Sequence, residues 1–147
     1  MIYLDYAATS PVDQRVLDAM MPYFREVYGN PSSVHRYGQK AETAIESARE
    51  TVASILYCRA EEIIFTSCGS ESDNLAIRGA AMARRAASGE KWILTAKTEH
   101  HAVSKTAEQL EKEYGFLLEW LDMDKYGAVT SESLSKAVCN QTALASV

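Results

Sequence analysis

Two stretches of this 147-residue sequence combine residue types and spacings that could do chemistry. The first is Thr66-Ser67-Cys68-Gly69-Ser70-Glu71-Ser72-Asp73-Asn74, where a short apolar run gives way to a helical pattern. Glycine lets a backbone approach a ligand closely, and the unpaired amides of a helix start, helped by the Ser70 hydroxyl, suit a phosphate. The same residues have a plainer use, because Ser70 with Asp73 three positions later fits a capping box that needs no ligand. Local pattern leaves both uses open, and the cap is the commoner. The second stretch, Thr98-Glu99-His100-His101, follows an apolar run. An imidazole there could stack on a planar aromatic cofactor or exchange protons near neutral pH, and it could equally cap the next helix or sit on the surface. No metal site is expected, since adjacent histidines project differently and no nearby Cys or carboxylate set completes a ligand shell. Cys68 reads either as a thiol activated by a helix start or, more plainly, as a small turn residue. Asp122-Met123-Asp124-Lys125-Tyr126-Gly127 opens like a calcium loop. Tyr126 occupies an oxygen-ligand position, however, and Ser133 stands where a bidentate Glu belongs, so a polar turn is expected.

Positioning these residues requires regular elements, and the hydropathy pattern supplies them. Residues 2–4 read as a brief strand or extended arm followed by a turn. Val16, Met20, Phe24 and Val27 repeat at helical spacing from Asp13 to about Tyr28, where Gly29-Asn30-Pro31 supplies a stop. Ala41, Ala44, Ile45, Ala48, Val52 and Ile55 draw one apolar stripe on a helix from about Tyr37 to Leu56. Ile63 to Thr66 then predicts a short buried strand, followed by a helix from Glu71 to Ala87 packing on Leu75, Ala76, Ala80 and Ala83. The order repeats with a strand at Trp92–Ala96, a turn, and a helix marked by Val103, Ala107, Leu110 and Tyr114. Strand Phe116–Leu121, a polar loop, a short helix over 131–138 and a strand from Ala143 complete the chain. Alternating strands and helices predict an α/β fold with a largely parallel sheet. If the strands at 63–66 and 92–96 are parallel neighbours, the two chemical stretches share one sheet edge. A last strand with no helix after it is what an incomplete parallel sheet would show.

Composition narrows the function classes. Apolar residues make up 47% and charged residues 24%, ordinary globular values that argue against disorder and a disulfide-stapled miniprotein. Fifteen Lys and Arg against twenty Asp and Glu leave a net charge of −5, which disfavours nucleic acid or an anionic membrane as the main partner. The N-terminus lacks the pattern of a signal peptide and no run approaches a membrane span. Three widely spaced cysteines, Cys58, Cys68 and Cys139, form no C-x-x-C pair, so a reducing cytoplasm is the expected compartment. Neither G-x-G-x-x-G nor a P-loop appears.

Four segments in order go beyond generic pattern: Tyr3-Leu4-Asp5-Tyr6-Ala7-Ala8-Thr9 with Pro11-Val12; Gly29-Asn30-Pro31-Ser32-Ser33 with His35-Arg36; Phe65-Thr66-Ser67 to Ser70-Glu71-Ser72-Asp73-Asn74-Leu75-Ala76; and Lys97-Thr98-Glu99-His100 with Ala102-Val103. Together they resemble the front part of cysteine desulfurases of the NifS/IscS type, in the class V branch of fold-type I pyridoxal-phosphate enzymes. The resemblance spans essentially the whole chain. It implies an N-terminal arm or small-domain segment at 1–12 and, at 13–147, the N-terminal part of the pyridoxal-phosphate-binding large domain, truncated. Gly69 and Ser70 match the pair that holds the cofactor phosphate, and His100 matches the histidine that stacks on the pyridine ring and serves in proton transfer. Cys68 replaces a glycine more usual in that turn, and His101 matches no functional position.

The family reaction takes L-cysteine to L-alanine and passes sulfur to an enzyme cysteine as a persulfide, for iron–sulfur clusters or thiolated tRNA. The resemblance further implies pyridoxal 5'-phosphate as cofactor, with its site incomplete in this chain, and a sulfur-acceptor protein and a homodimer for the complete enzyme. None of the seven lysines lies in the family's lysine-bearing context, and the stretch with the sulfur-carrying cysteine has no counterpart. The expectation is therefore a chain inactive by itself. Two alternatives carry different consequences. One is a non-catalytic partner or phosphate-ligand module; the other is a class V aminotransferase or selenocysteine lyase, against which segments 29–36 and 71–76 favour the desulfurase branch.

Overall fold

The computed structural model describes residues 2–147, which divide into two compact units, one ending at Ile64 and the other Phe65–Val147. In the first unit, α1 (Gln14–Arg25) begins where the Asp13 carboxylate accepts the Arg15 amide at 2.8 Å. It ends at Arg25, earlier than the apolar pattern predicts, with the Glu26 and Val27 amides both donating to the Pro22 carbonyl. Its stripe of Val16, Met20 and Phe24 is exposed. Helix α2 (Arg36–Leu56) starts under a His35 cap and buries Gly38, Ala41 and Ala53, while Ile45 and Ile55 of the predicted stripe are exposed. A 3₁₀ turn at Ala60–Glu62 follows, and Arg49 donates to the Ile63 carbonyl. No strand forms over residues 2–4.

The second unit holds α3 (Gly69–Ser88), β1 (Trp92–Thr95), α4 (His101–Tyr114), β2 (Leu117–Trp120), α5 (Ser131–Ala137) and β3 (Thr142–Ser146). The three strands make a parallel sheet in the order β2-β1-β3, with Ile93 opposite Leu118 on one side and Leu144 on the other. This is the α/β architecture with a parallel sheet that the alternating pattern predicts. Ile63–Thr66 is not a strand, and it is not the neighbour of β1 that the sequence suggested. Both sides of β1 are occupied by β2 and β3.

One core closes this unit: Ile77 and Ala81 of α3, Val103, Ala107 and Leu110 of α4, and Ile93, Phe116 and Ala143 from the sheet and its approaches. The buried face of α3 therefore differs from the predicted one, since Leu75 is 47% exposed. With alanines on every side of α3, spacing alone allows several faces, and the branched Ile77 fills the space against α4. Gly89 and Gly115, at φ 76° and 68°, end α3 and α4 in the left-handed conformation that glycine adopts without strain.

Candidate functional site

Helices α3 and α4 run side by side in the same direction. Thr106 meets Asn74 at 2.8 Å, Arg78 reaches Gln109, and Arg85 reaches the Tyr114 carbonyl, so partners on the two helices advance together from one end to the other. The connection from α3 into the start of β1 and from the end of β1 into α4 puts both helix N-termini at the C-terminal edge of the sheet. Ser70 lies about 6 Å and His100 about 9 Å of helix rise below the Asn74–Thr106 contact. The two predicted corners are thus brought to one edge, by parallel helix packing and not by the neighbouring strands that the sequence suggested.

At the first corner, the backbone of Cys68 is extended (φ −166°, ψ 168°), a conformation open to any residue, so the cysteine in place of the more usual glycine is unstrained. Cys68 is the N-cap residue and its side chain makes no capping bond. The Ser70–Asp73 capping box does not form, because Ser70 already lies within the helix. Instead, Glu71 reaches backwards, accepting the Ser67 hydroxyl and the Ser67 amide, both at 2.7 Å. These two bonds, the hydroxyl first, hold the Glu71 carboxyl below its ordinary value. Thr66 and Ser72 share a 2.5 Å hydroxyl contact. Among the described residues, no side chain caps the opening amides of α3, and Ser70 keeps its hydroxyl free for another group. A Cβ built on Gly69 meets nothing within 4 Å. Neither crowding nor a positive φ within the chain demands a glycine there, although a helical glycine costs about 1 kcal/mol against alanine.

At the second corner, His100 caps α4 by accepting the Ala102 amide on Nδ1 at 3.1 Å, the plainer of its sequence readings. Nε2 is left for another partner. His101 opens α4 with its ring centroid 6.3 Å from that of His100, and it lines a groove of about 370 Å³ with Lys97, Glu99, Ser104 and Trp120. Ser146, at the end of β3, donates to Glu99 at 3.3 Å, which ties the third strand to the same edge. No group of three or more potential metal ligands occurs among the described residues. Asp124, from the calcium-like stretch, accepts the Tyr126 and Ala128 amides of its own turn. Sequence reasoning assigned no role to Thr106 or Asn74; their meeting spans 32 residues and leaves no local signal.

The donor set fits a phosphorylated planar cofactor: open helix-start amides and a free hydroxyl for the phosphate, and an exposed imidazole along the same edge. No helix among the described residues is long and apolar enough to cross a membrane.

Comparison with known proteins places the chain in a family. The family model for aminotransferase class-V matches residues 2–147. Cysteine desulfurase IscS of Dictyoglomus turgidum is 46% identical over 146 residues, covering 99% of this chain and 36% of the relative. Putative cysteine desulfurase IscS 1 of Bacillus subtilis is 45% identical, over 99% of this chain and 38% of its own length. Among solved structures, a NifS-like protein superposes with a TM-score of 0.86 at 39% identity, covering 96% of this chain and 38% of that one. SspA in complex with cysteine gives a TM-score of 0.83 at 36% identity, over 95% of this chain and 40% of that one. The chain spans well under half the length of each of these relatives.

Proposed function

Because this chain belongs to the aminotransferase class-V family, we propose that it is the N-terminal portion of a pyridoxal-phosphate-dependent cysteine desulfurase, converting L-cysteine to L-alanine with transfer of sulfur to an enzyme cysteine. The observation that carries this reading is the parallel register of α3 and α4, with the Gly69–Ser70 turn and His100 on one edge. The relatives named as cysteine desulfurases and the neighbour described in complex with cysteine support the same substrate class.

In this reading the Gly69 and Ser70 amides and the Ser70 hydroxyl hold the phosphate of the cofactor. The glycine allows the phosphate close to the backbone, and the positive end of the α3 dipole favours its charge. Glu71 carries the opposing charge at this end, and its bonds to Ser67 turn the carboxylate out of the helix. His100 would face the pyridine ring and would be placed to exchange a proton with the substrate through Nε2; its Nδ1 is held by the Ala102 amide, which fixes the ring. Pyridoxal phosphate, when bound, supplies an electron sink for bonds at the substrate α-carbon. The covalent anchoring lysine and the sulfur-carrying cysteine are assigned to a protein longer than these 147 residues, so this chain alone is expected to release no sulfide. A cytoplasmic location, residues 13–147 as large-domain sequence after an N-terminal arm, a homodimer and a sulfur-acceptor partner for iron–sulfur or thiolated-tRNA synthesis belong to the same proposal.

Binding of pyridoxal phosphate and of pyridoxal to the chain tests it. Ser70→Ala should weaken pyridoxal phosphate about tenfold, the worth of a hydrogen bond to a charged group. It should leave pyridoxal binding and thermal stability unchanged. Equal losses for the two ligands, or no pyridoxal phosphate binding by a folded chain, would remove the assignment.

A further inference from the structure

Asn74 belongs to the Ser70–Ala76 segment that carries the family resemblance, and the functional reading above gives it no task. The structure places it between the two corners of the site. Its Nδ2 donates to the Ser70 carbonyl at 2.9 Å, one turn back along α3. Its Oδ1 faces α4 and accepts from the Thr106 hydroxyl at 2.8 Å and from Arg78 Nε at 3.4 Å. The amide orientation is fixed chemically. A flipped Asn74 would set its NH₂ against the Arg78 N–H and its oxygen against the Ser70 carbonyl, two like pairs. Thr106 is 3% exposed, and its hydroxyl also lies 2.7 Å from the Ala102 carbonyl. The single hydroxyl proton serves one acceptor at a time, or is shared, so Thr106 holds both Asn74 and the first turn of α4. Ala102 in turn donates its amide to His100 Nδ1 at 3.1 Å.

A continuous polar path therefore runs from the Ser70 carbonyl through Asn74 and Thr106 to Ala102 and the His100 ring. The core between α3 and α4 is apolar, and the directional contacts between the two helices are Asn74–Thr106, Arg78–Gln109 and Arg85–Tyr114. The Asn74–Thr106 bond is directional and fixes the register near the site. We propose that Asn74 and Thr106 are positioning residues which set the Gly69–Ser70 turn and the His100 imidazole in the relative placement that one ligand spanning both requires. The proposal rests on the functional reading above for the identity of that ligand. It rests on the structure alone for the coupling of the two corners.

The test uses the 147-residue chain, Asn74→Ala, Thr106→Val and Thr106→Ser, and requires no turnover. In ligand-free protein, Asn74→Ala and Thr106→Val should shift the NMR resonances of the Ala102 amide and the His100 ring nitrogens, while Thr106→Ser, which keeps the hydroxyl, should leave them near wild type. Pyridoxal phosphate, which would touch both corners, should bind about fivefold more weakly to Asn74→Ala and Thr106→Val, the worth of one lost hydrogen bond. Inorganic phosphate, which needs only the α3 turn, should bind as to wild type. Should Asn74→Ala fail to fold, the Thr106 valine and serine pair decides. Unmoved His100 and Ala102 resonances in a folded variant, an equal loss for both ligands, or failure of serine to rescue valine would overturn the positioning role. A wild-type chain that binds neither ligand, with the resonance shifts present, would overturn the functional reading and leave the coupling standing.

Discussion

The His100 imidazole caps its own helix, with Nδ1 accepting the Ala102 amide at 3.1 Å. A neutral ring in that bond must carry its proton on Nε2, the nitrogen that faces away from the helix. One side chain thus has a structural duty on one nitrogen and a free edge on the other.

The two duties can be separated. His100→Ala removes the cap and should cost about 0.5–2 kcal/mol, whereas His100→Asn supplies another good cap and should retain most of that stability. Both should weaken pyridoxal phosphate, because neither offers an imidazole face. Thermal unfolding and ligand titration of the two variants make the comparison, and ¹⁵N shifts of His100 report the Nε2–H form directly. An asparagine variant that binds as wild type would reduce His100 to a cap.

Glu71 gives the α3 corner an acid dependence. The Ser67 hydroxyl and then the Ser67 amide lower its folded pKa from 4.5, so the stabilisation they provide is whole above the unfolded value and is lost as pH falls through the lower folded value. Asp13 acts in the same direction through the Arg15 guanidinium. Glu71→Gln should be less stable than wild type at neutral pH and lose less on acidification, the two curves converging at low pH. Parallel curves from neutrality to acid would show that the Ser67–Glu71 bonds carry no such linkage.

Glycines in the resembling segments divide by what surrounds them. A Cβ on Gly38 would overlap the Ser33 carbonyl and come within 2.6 Å of the Asn30 carbonyl oxygen; one on Gly29 would overlap the Tyr37 carbonyl. Alanine at either position should cost about 1–3 kcal/mol through forced backbone shifts. Gly69→Ala meets nothing, and it should stabilise the chain by up to about 1 kcal/mol while weakening pyridoxal phosphate. A destabilised Gly69→Ala protein would mean that the chain itself requires that glycine, and the argument for a close-lying phosphate would lose its support.

Much of this protein is legible in its sequence. Helical periodicity locates α1 to α4 within a few residues, and of the apolar residues that mark α4 Val103, Ala107 and Leu110 are buried while Tyr114 is exposed. The strand–helix alternation yields the α/β class, and four motifs in order point to the family that the comparisons bear out. Tertiary structure decided the rest. Ile63–Thr66 has strand-like residues and does not join the sheet, whose central strand is flanked by β2 and β3. The face of α3 turns on Ile77 because alanines surround that helix. Ser70 and His100 are each ambiguous in isolation, since caps and ligand groups use the same atoms. Their place on one edge follows from the parallel packing of α3 and α4, and the Asn74–Thr106 bond between residues 32 apart exists only once those helices have packed.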